Sequence, residues 1–278
     1  MSYRCFSVET ADHIAHIRFN RPDKFNSMIP EFWRELPQAV NAISDDGEAR
    51  VIVISSEGKH FTAGMDISVF MEGALDADSA NPQVSAEAFR HKILQLQETF
   101  SCLERARQPV LVAIQGGAIG AGIDLATAAD CRYASAEAFF SVQETVIGMT
   151  ADVGTFPRLA KVIPEGWARQ MSYTGERLPA AKAKAIGLVN EVFDDPQALL
   201  AGVMEIARTI AANSPLAVAG CKALINHARD HATADTLDYI ALWNAAMLRP
   251  DDIKESYIAK GEKRAARFDS LKKLGRGL

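Results

Sequence analysis

The apolar run Val110-Leu111-Val112-Ala113-Ile114 leads straight into Gln115-Gly116-Gly117-Ala118-Ile119-Gly120-Ala121-Gly122 and then Ile123-Asp124-Leu125-Ala126. A run this short and unbroken suits a strand buried on both faces. Four glycines in the seven residues 116–122 exceed what close helix–strand packing needs. A strand, a glycine-rich turn and a helix start leave backbone N–H groups without internal partners, ready for an anion or a developing negative charge. The spacing is not GxGxxG, and no acid follows at the distance a ribose would need, which speaks against a nicotinamide cofactor. A second turn has the same chemistry: Val51–Ser55 precedes Glu57-Gly58-Lys59-His60-Phe61-Thr62-Ala63-Gly64-Met65-Asp66-Ile67. One N–H from each turn, converging on one oxygen, would stabilise an enolate or a tetrahedral oxyanion.

Around these turns the pattern is mixed. Alternation at Phe6 and Val8 and again from Ile14 to Phe19, with Ala11-Asp12 between, predicts a β-hairpin. Phe32, Leu36, Val40 and Ile43 predict a helix over 30–46. Residues 72–85 are small and polar and read as a surface loop, followed by a helix over about 86–107. Beyond residue 160 helical periods dominate, as at Leu199, Val203, Ile206 and Ile210, and less regularly at Leu237, Ile240, Asn244 and Leu248; one short strand is expected within Leu188–Phe193. An α/β core over 1–195 and a C-terminal helical region over 196–278, expected to serve oligomerisation, is the organisation this implies.

The 30 Lys+Arg and 35 Asp+Glu leave a net charge of −5, poorly suited to non-specific nucleic-acid binding. Cys5, Cys102, Cys131 and Cys221 lie far apart with no CxxC pair, against a zinc site or a disulfide framework, and no metal is expected. No apolar stretch approaches membrane-spanning length, and MSYRCFSVETADH is too polar for a signal peptide. The expectation is a reduced, cytoplasmic protein with no nucleic-acid or membrane partner.

FTAGMDI, then PVLVAIQGGAIGAGIDLATAADCRYAS, with NRPDKFNSM before them and GERLPAAKAKAIGLVNEV after, closely resembles the enoyl-CoA hydratase/isomerase (crotonase) superfamily over roughly residues 3–270. The resemblance implies a spiral of ββα repeats with a C-terminal helical region, an acyl-CoA thioester substrate, and homo-trimers often paired into hexamers. It implies no separate cofactor, coenzyme A being part of the substrate. Within the superfamily the chain looks most like the Δ3,5-Δ2,4-dienoyl-CoA isomerases. Asp124 and Glu144 stand where hydratases carry two glutamates twenty positions apart. Eight residues further, in Thr150-Ala151-Asp152-Val153-Gly154-Thr155, Asp152 stands where hydratases usually carry glycine.

Carried over position by position, the resemblance makes Asp124, Glu144 and Asp152 the catalytic acids, and the N–H groups of Met65 and Ala121 the oxyanion donors. Ala121 replaces the usual glycine. Substrate contacts are expected from Lys24, Phe25, Ala63, Gly64, Met65, Asp66, Ile67 and Ala121. Moving two double bonds needs one group to take a proton at C2 and another to deliver one at C6. Glu144 is assigned the first task and Asp152 the second, with Asp124 tuning the balance or orienting a group. Taken singly, Asp124 would suit a helix N-terminus, Glu144 a surface acid and Asp152 a helix cap. His60 reads as structural. The rivals are a 2-enoyl-CoA hydratase and, less favoured by the charge and the intact acids, a non-catalytic or RNA-binding relative.

Overall fold

The structure, a computed structural model, describes residues 3–71 and 81–275. The chain opens with the expected hairpin: β1 (Phe6–Ala11) pairs antiparallel with β2 (Ile14–Phe19). Ala11 belongs to the strand, so the turn falls one residue later. Asp12 and His13 make it at φ 49° and 62°, the left-handed pair that a two-residue hairpin requires.

The elements that follow are α1 (Pro30–Asp46), β3 (Val51–Ser56), α2 (Ile67–Met71), α3 (Pro82–Arg105), β4 (Val110–Ile114), β5 (Gly117–Ile119) and α4 (Ala121–Ala128). Then come β6 (Cys131–Ser135), β7 (Phe139–Ser141), α5 (Thr155–Val162), α6 (Glu165–Thr174), β8 (Leu178–Pro179), α7 (Ala180–Ala185) and β9 (Glu191–Phe193). The chain finishes with α8 (Pro196–Ala211), α9 (Pro215–Asp230), α10 (Thr233–Met247) and α11 (Pro250–Gly261).

The larger sheet runs β1-β2-β3-β4-β6-β9, parallel from β2 onward, and the smaller runs β5-β7-β8. Successive turns repeat one motif. β4 lies in the large sheet, β5 in the small sheet, and α4 follows; β6 and β7 repeat the step. After β3, Thr62 bridges to Ala118 in β5, and after β2, Met28 bridges to Met65. Each turn therefore contributes one long strand, one short extended piece and a helix, which is the expected spiral of ββα repeats.

The unbroken apolar strands are buried on both faces, as their composition predicts. Val51 and Val53 of β3, with Leu111 and Ala113 of β4, face Leu199, Val203, Ala207 and Ala211 of α8. Ile52, Ile54, Val110, Val112 and Ile114 point the opposite way, into the main core with α1, α3 and α4. At roughly 1.5–3 kcal/mol per large apolar side chain fully buried, this two-sided packing fixes the strand ends from which both site turns leave. The first helix beyond residue 195 is thus a cover of the large sheet.

Two expectations need correction. Residues 72–80 of the expected 72–85 loop lie outside the described residues, and residues 82–85 are helical. Asn81 Oδ1 accepts from Gln83 N–H (3.0 Å) and Val84 N–H (3.4 Å), and Pro82 supplies the first helical position, so α3 starts earlier than periodicity alone indicated. The short β8 is an additional strand, held by its pairing with β7 rather than by its own sequence. Among the described residues nothing covers the periodic face of α10: Leu237, and Leu248 just past its end, are each 60% exposed.

Candidate active site

The loop after β2 is a scaffold. Asn26, buried and at φ 53°, donates through Nδ2 to Glu57 O (2.8 Å) and His60 O (2.9 Å), and accepts from Arg21 N–H (2.9 Å). Thr62 Oγ1 donates to Asn26 O (2.8 Å) and accepts from Gly64 N–H (3.1 Å). His60 Nδ1 accepts from Gly117 N–H (2.9 Å), tying the first turn to the second; its place is structural, as expected. Asn26 and Thr62 are residues that sequence reasoning passed over.

Met65 lies in the parallel bridge to Met28. There Met28 N–H donates to Gly64 O (2.8 Å) and Asp66 N–H to Met28 O (3.0 Å). In a parallel ladder the intervening residue turns its own N–H away from that partner strand, and Met65 N–H meets no acceptor among the described residues. Ala121 opens α4, so its N–H has no intrahelical acceptor either. The two turns come together at a glycine: a Cβ on Gly64 would stand 2.7 Å from Ile119 O and 3.3 Å from Ala121 N. Gly64 (φ 83°) and Gly120 (φ 54°, ψ −119°) hold backbone shapes that side chains disfavour. Ala121 itself is buried inside a helix start and needs no positive φ, so its methyl group is accommodated.

Asp124, one helical turn into α4, is fully buried. Thr155 Oγ1 donates to its Oδ1 (2.8 Å), while its Oδ2 is buried without a partner. Burial, helped by the nearby Glu144 charge and opposed by Thr155 and Arg158, pushes this carboxyl up to about 7. Glu144 starts a single 3-10 turn, Glu144–Ile147, after β7. A Cβ on Gly120 would lie 3.3 Å from Glu144 Oε1, and Oε2 is buried without a partner. Burial first, then the charge of Asp152, raise Glu144 above the usual carboxylate range. Asp152 is half-buried and likewise raised by burial. Its main-chain carbonyl accepts from Gln97 Nε2 of α3 (2.8 Å). The cap of α5 is Gly154, with no side-chain capping bond, so Asp152 is not spent as a helix cap. Asp124 lies in the first turn of α4 and Glu144 beside Gly120, while Asp152 is within electrostatic reach of Glu144.

The expected substrate contacts divide. Phe25 and Ala63 are joined by Ala63 N–H to Phe25 O (2.9 Å). The Phe25 ring, 53% exposed, packs edge-on to His60 at 5.5 Å. Lys24 is exposed at the end of the Pro22–Lys24 turn. Ala63, Gly64, Met65 and Ala121 lie along the converged turns. Asp66 is occupied: its carboxylate accepts from Ser27 Oγ (2.5 Å), Ser68 Oγ (2.7 Å) and Ser68 N–H (3.1 Å), which holds it below the usual range. Ile67 is 76% exposed.

The ββα spiral thus brings two amides without acceptors among the described residues to turns that lie beside Glu144 and the start of α4. The enoyl-CoA hydratase/isomerase family profile matches residues 9–271, and the chain belongs to that family. It is similar to the mitochondrial Delta(3,5)-Delta(2,4)-dienoyl-CoA isomerase of Homo sapiens, with 38% identity over 98% of this chain and 84% of that one. It is also similar to the peroxisomal Delta(3,5)-Delta(2,4)-dienoyl-CoA isomerase of Arabidopsis thaliana, with 37% identity over 97% and 99%. The crystal structure of enoyl-CoA hydratase from Bacillus anthracis superposes with a TM-score of 0.84 at 30% identity, covering 95% of this chain and 99% of that one.

These relatives overturn the cytoplasmic expectation, since they are named as mitochondrial and peroxisomal proteins. That expectation rested on free thiols and on the lack of a long apolar run, features that an organelle's reducing matrix accommodates equally well.

Proposed function

We propose that this chain is an acyl-CoA isomerase that converts a 3,5-dienoyl-CoA into the 2,4-dienoyl-CoA. Glu144 takes a proton from C2, and the electron pair spreads through the diene onto the thioester oxygen. The N–H groups of Met65 and Ala121 stabilise that oxygen, each by about 3 kcal/mol on the scale of measured oxyanion donors. Asp152 delivers a proton to C6, and the double bonds move from C3 and C5 to C2 and C4. One proton leaves and one arrives, so a single shared proton, moved back from Glu144 to Asp152, resets the site.

The observation that carries this reading is the third acid. Asp152 is half-buried and within electrostatic reach of Glu144, so the two favour sharing one proton between them. Hydration needs two carboxylates around one water and gives Asp152 no task. The dienoyl-CoA isomerases at 37–38% identity over nearly the whole chain support the same reading. Lys24 and Phe25 are proposed to meet coenzyme A, and Ala63 to Ile67 to line its path; no separate cofactor is invoked. The bare apolar residues Leu237 and Leu242 of α10, Leu248 just past its end and Tyr257 of α11 favour a homo-trimer or hexamer assembled through the C-terminal helices. β-Oxidation of unsaturated fatty acids is the proposed setting.

Hydratase activity is the second reading, favoured by the likeness to the Bacillus anthracis hydratase. Purified protein should raise the absorbance of a conjugated 2,4-dienoyl thioester from 3,5-dienoyl-CoA and hydrate 2-enoyl-CoA far more slowly. Fast hydration without the diene shift would reverse the order of the two readings.

A further inference from the structure

The hydroxyl of Thr155 is fully buried at the start of α5, and its hydrogen has one acceptor among the described residues, Asp124 Oδ1 at 2.8 Å. A buried hydroxyl that donates to one carboxyl oxygen favours the other as the seat of any proton, because the carbonyl oxygen of a neutral acid is a better acceptor than its O–H oxygen. Asp124 Oδ2 is that other oxygen, buried and unpartnered. An ionised carboxylate with a bare buried oxygen is far more costly than the neutral acid.

We infer that Thr155 is a positioning residue that holds the Asp124 carboxyl in one orientation and confines its proton to Oδ2. Asp124 then serves the proposed reaction as a neutral hydrogen-bond donor rather than as a third carboxylate beside Glu144. The groups facing Asp124 agree with this. Glu144, from the turn after β7, repels a second negative charge, while Thr155 and the more distant Arg158, both on α5, moderate the shift. Neutral Asp124 also keeps negative charge away from the dienolate that forms at the neighbouring amide donors. Thirty-one residues separate the pair.

The test is a difference-infrared pH titration of the intact protein. The wild type should show a protonated-carboxyl band that Asp124→Asn removes and that fades as pH rises through about 7. Thr155→Val, nearly the same shape, should move the band to higher frequency, since its carbonyl loses a hydrogen bond, and carry the fading point up by about one pH unit. Thr155→Ser should restore both. Should Thr155→Val fail to fold, Thr155→Ala against Thr155→Ser makes the same comparison. A wild type with no Asp124 band at pH 6, or a band unmoved when the hydroxyl is removed, would overturn the inference. The kinetic arm rests on the proposed function: kcat on 3,5-dienoyl-CoA should fall roughly tenfold in Thr155→Val with KM little changed. An inactive wild type would sink that function while the infrared result still judged Thr155.

Discussion

Gly64 and Ala121 face one another across the two turns, so closely that a Cβ on Gly64 would sit 3.3 Å from the Ala121 amide nitrogen and 2.7 Å from Ile119 O. The amide of Met65 follows Gly64 directly, so whatever separates Gly64 from Ala121 separates the two donors. Gly64→Ala meets both this contact and the positive φ of 83°. It should lower kcat by roughly 100-fold or more, the scale of losing one oxyanion donor, with the circular-dichroism spectrum unchanged. Steady-state kinetics on 3,5-dienoyl-CoA reads the loss; turnover near the wild-type rate would show that the donors do not depend on this contact.

Ala121→Gly makes the opposite prediction. Ala121 has ordinary helical geometry at the first position of α4, and its N–H is present with either residue. Turnover should stay within about threefold, with a stability loss of up to about 1 kcal/mol from the added backbone freedom. A large fall in kcat would mean that the methyl group itself shapes the substrate.

Asp124 ties stability to pH. Its carboxyl is raised from 3.8 to about 7 in the folded state, so the folded protein holds a proton that the unfolded chain has already lost. The stability contributed by this group is complete below pH 4, declines as pH rises from about 4 to 7, and is gone above that. The raised Glu144 and Asp152 add to the same slope. Asp124→Asn should flatten the decline and be more stable than the wild type at pH 8, by an amount on the order of a few kcal/mol. Urea midpoints at pH 5 and pH 8 measure it; an unchanged slope would place the titrating group elsewhere.

Lys222 on α9 is a buried cation that donates to Leu103 O (2.6 Å) and Gln108 O (2.9 Å) and pairs with Asp130 at 2.8 Å. It joins α9 to the end of α3 and the start of β4. Lys222→Met strands two carbonyls and removes the counter-charge of Asp130, which keeps only the Val110 N–H among the described residues, and should cost about 3 kcal/mol. Thermal unfolding reads this, and an unchanged midpoint would show that water replaces the ammonium group.

What the sequence disclosed follows from where each cause lies. The two-faced burial of Val51–Ile54 and Val110–Ile114 was legible because unbroken apolar runs have few other uses, and the acids were legible through motif spacing. Thr155 was not: its bond to Asp124 spans elements that only the spiral brings together. The hairpin turn falls at Asp12-His13 and not Ala11-Asp12 because Asp and His tolerate the left-handed shape better than Ala. The period through Leu237 and Ile240 marks the helix α10, but periodicity does not say whether the covering surface belongs to the same chain.

The account stands most directly on Asp152. In the proposed mechanism its carboxyl protonates the migrating end of the diene and not the coenzyme A handle, so Asp152→Asn should cut kcat on 3,5-dienoyl-CoA by roughly 100-fold or more. The Kd for a non-reactive acyl-CoA analogue should stay within about twofold. Both quantities come from one preparation, by following the conjugated product and by calorimetric titration. A variant that keeps wild-type turnover would remove the terminal proton donor from the mechanism and contradict the account.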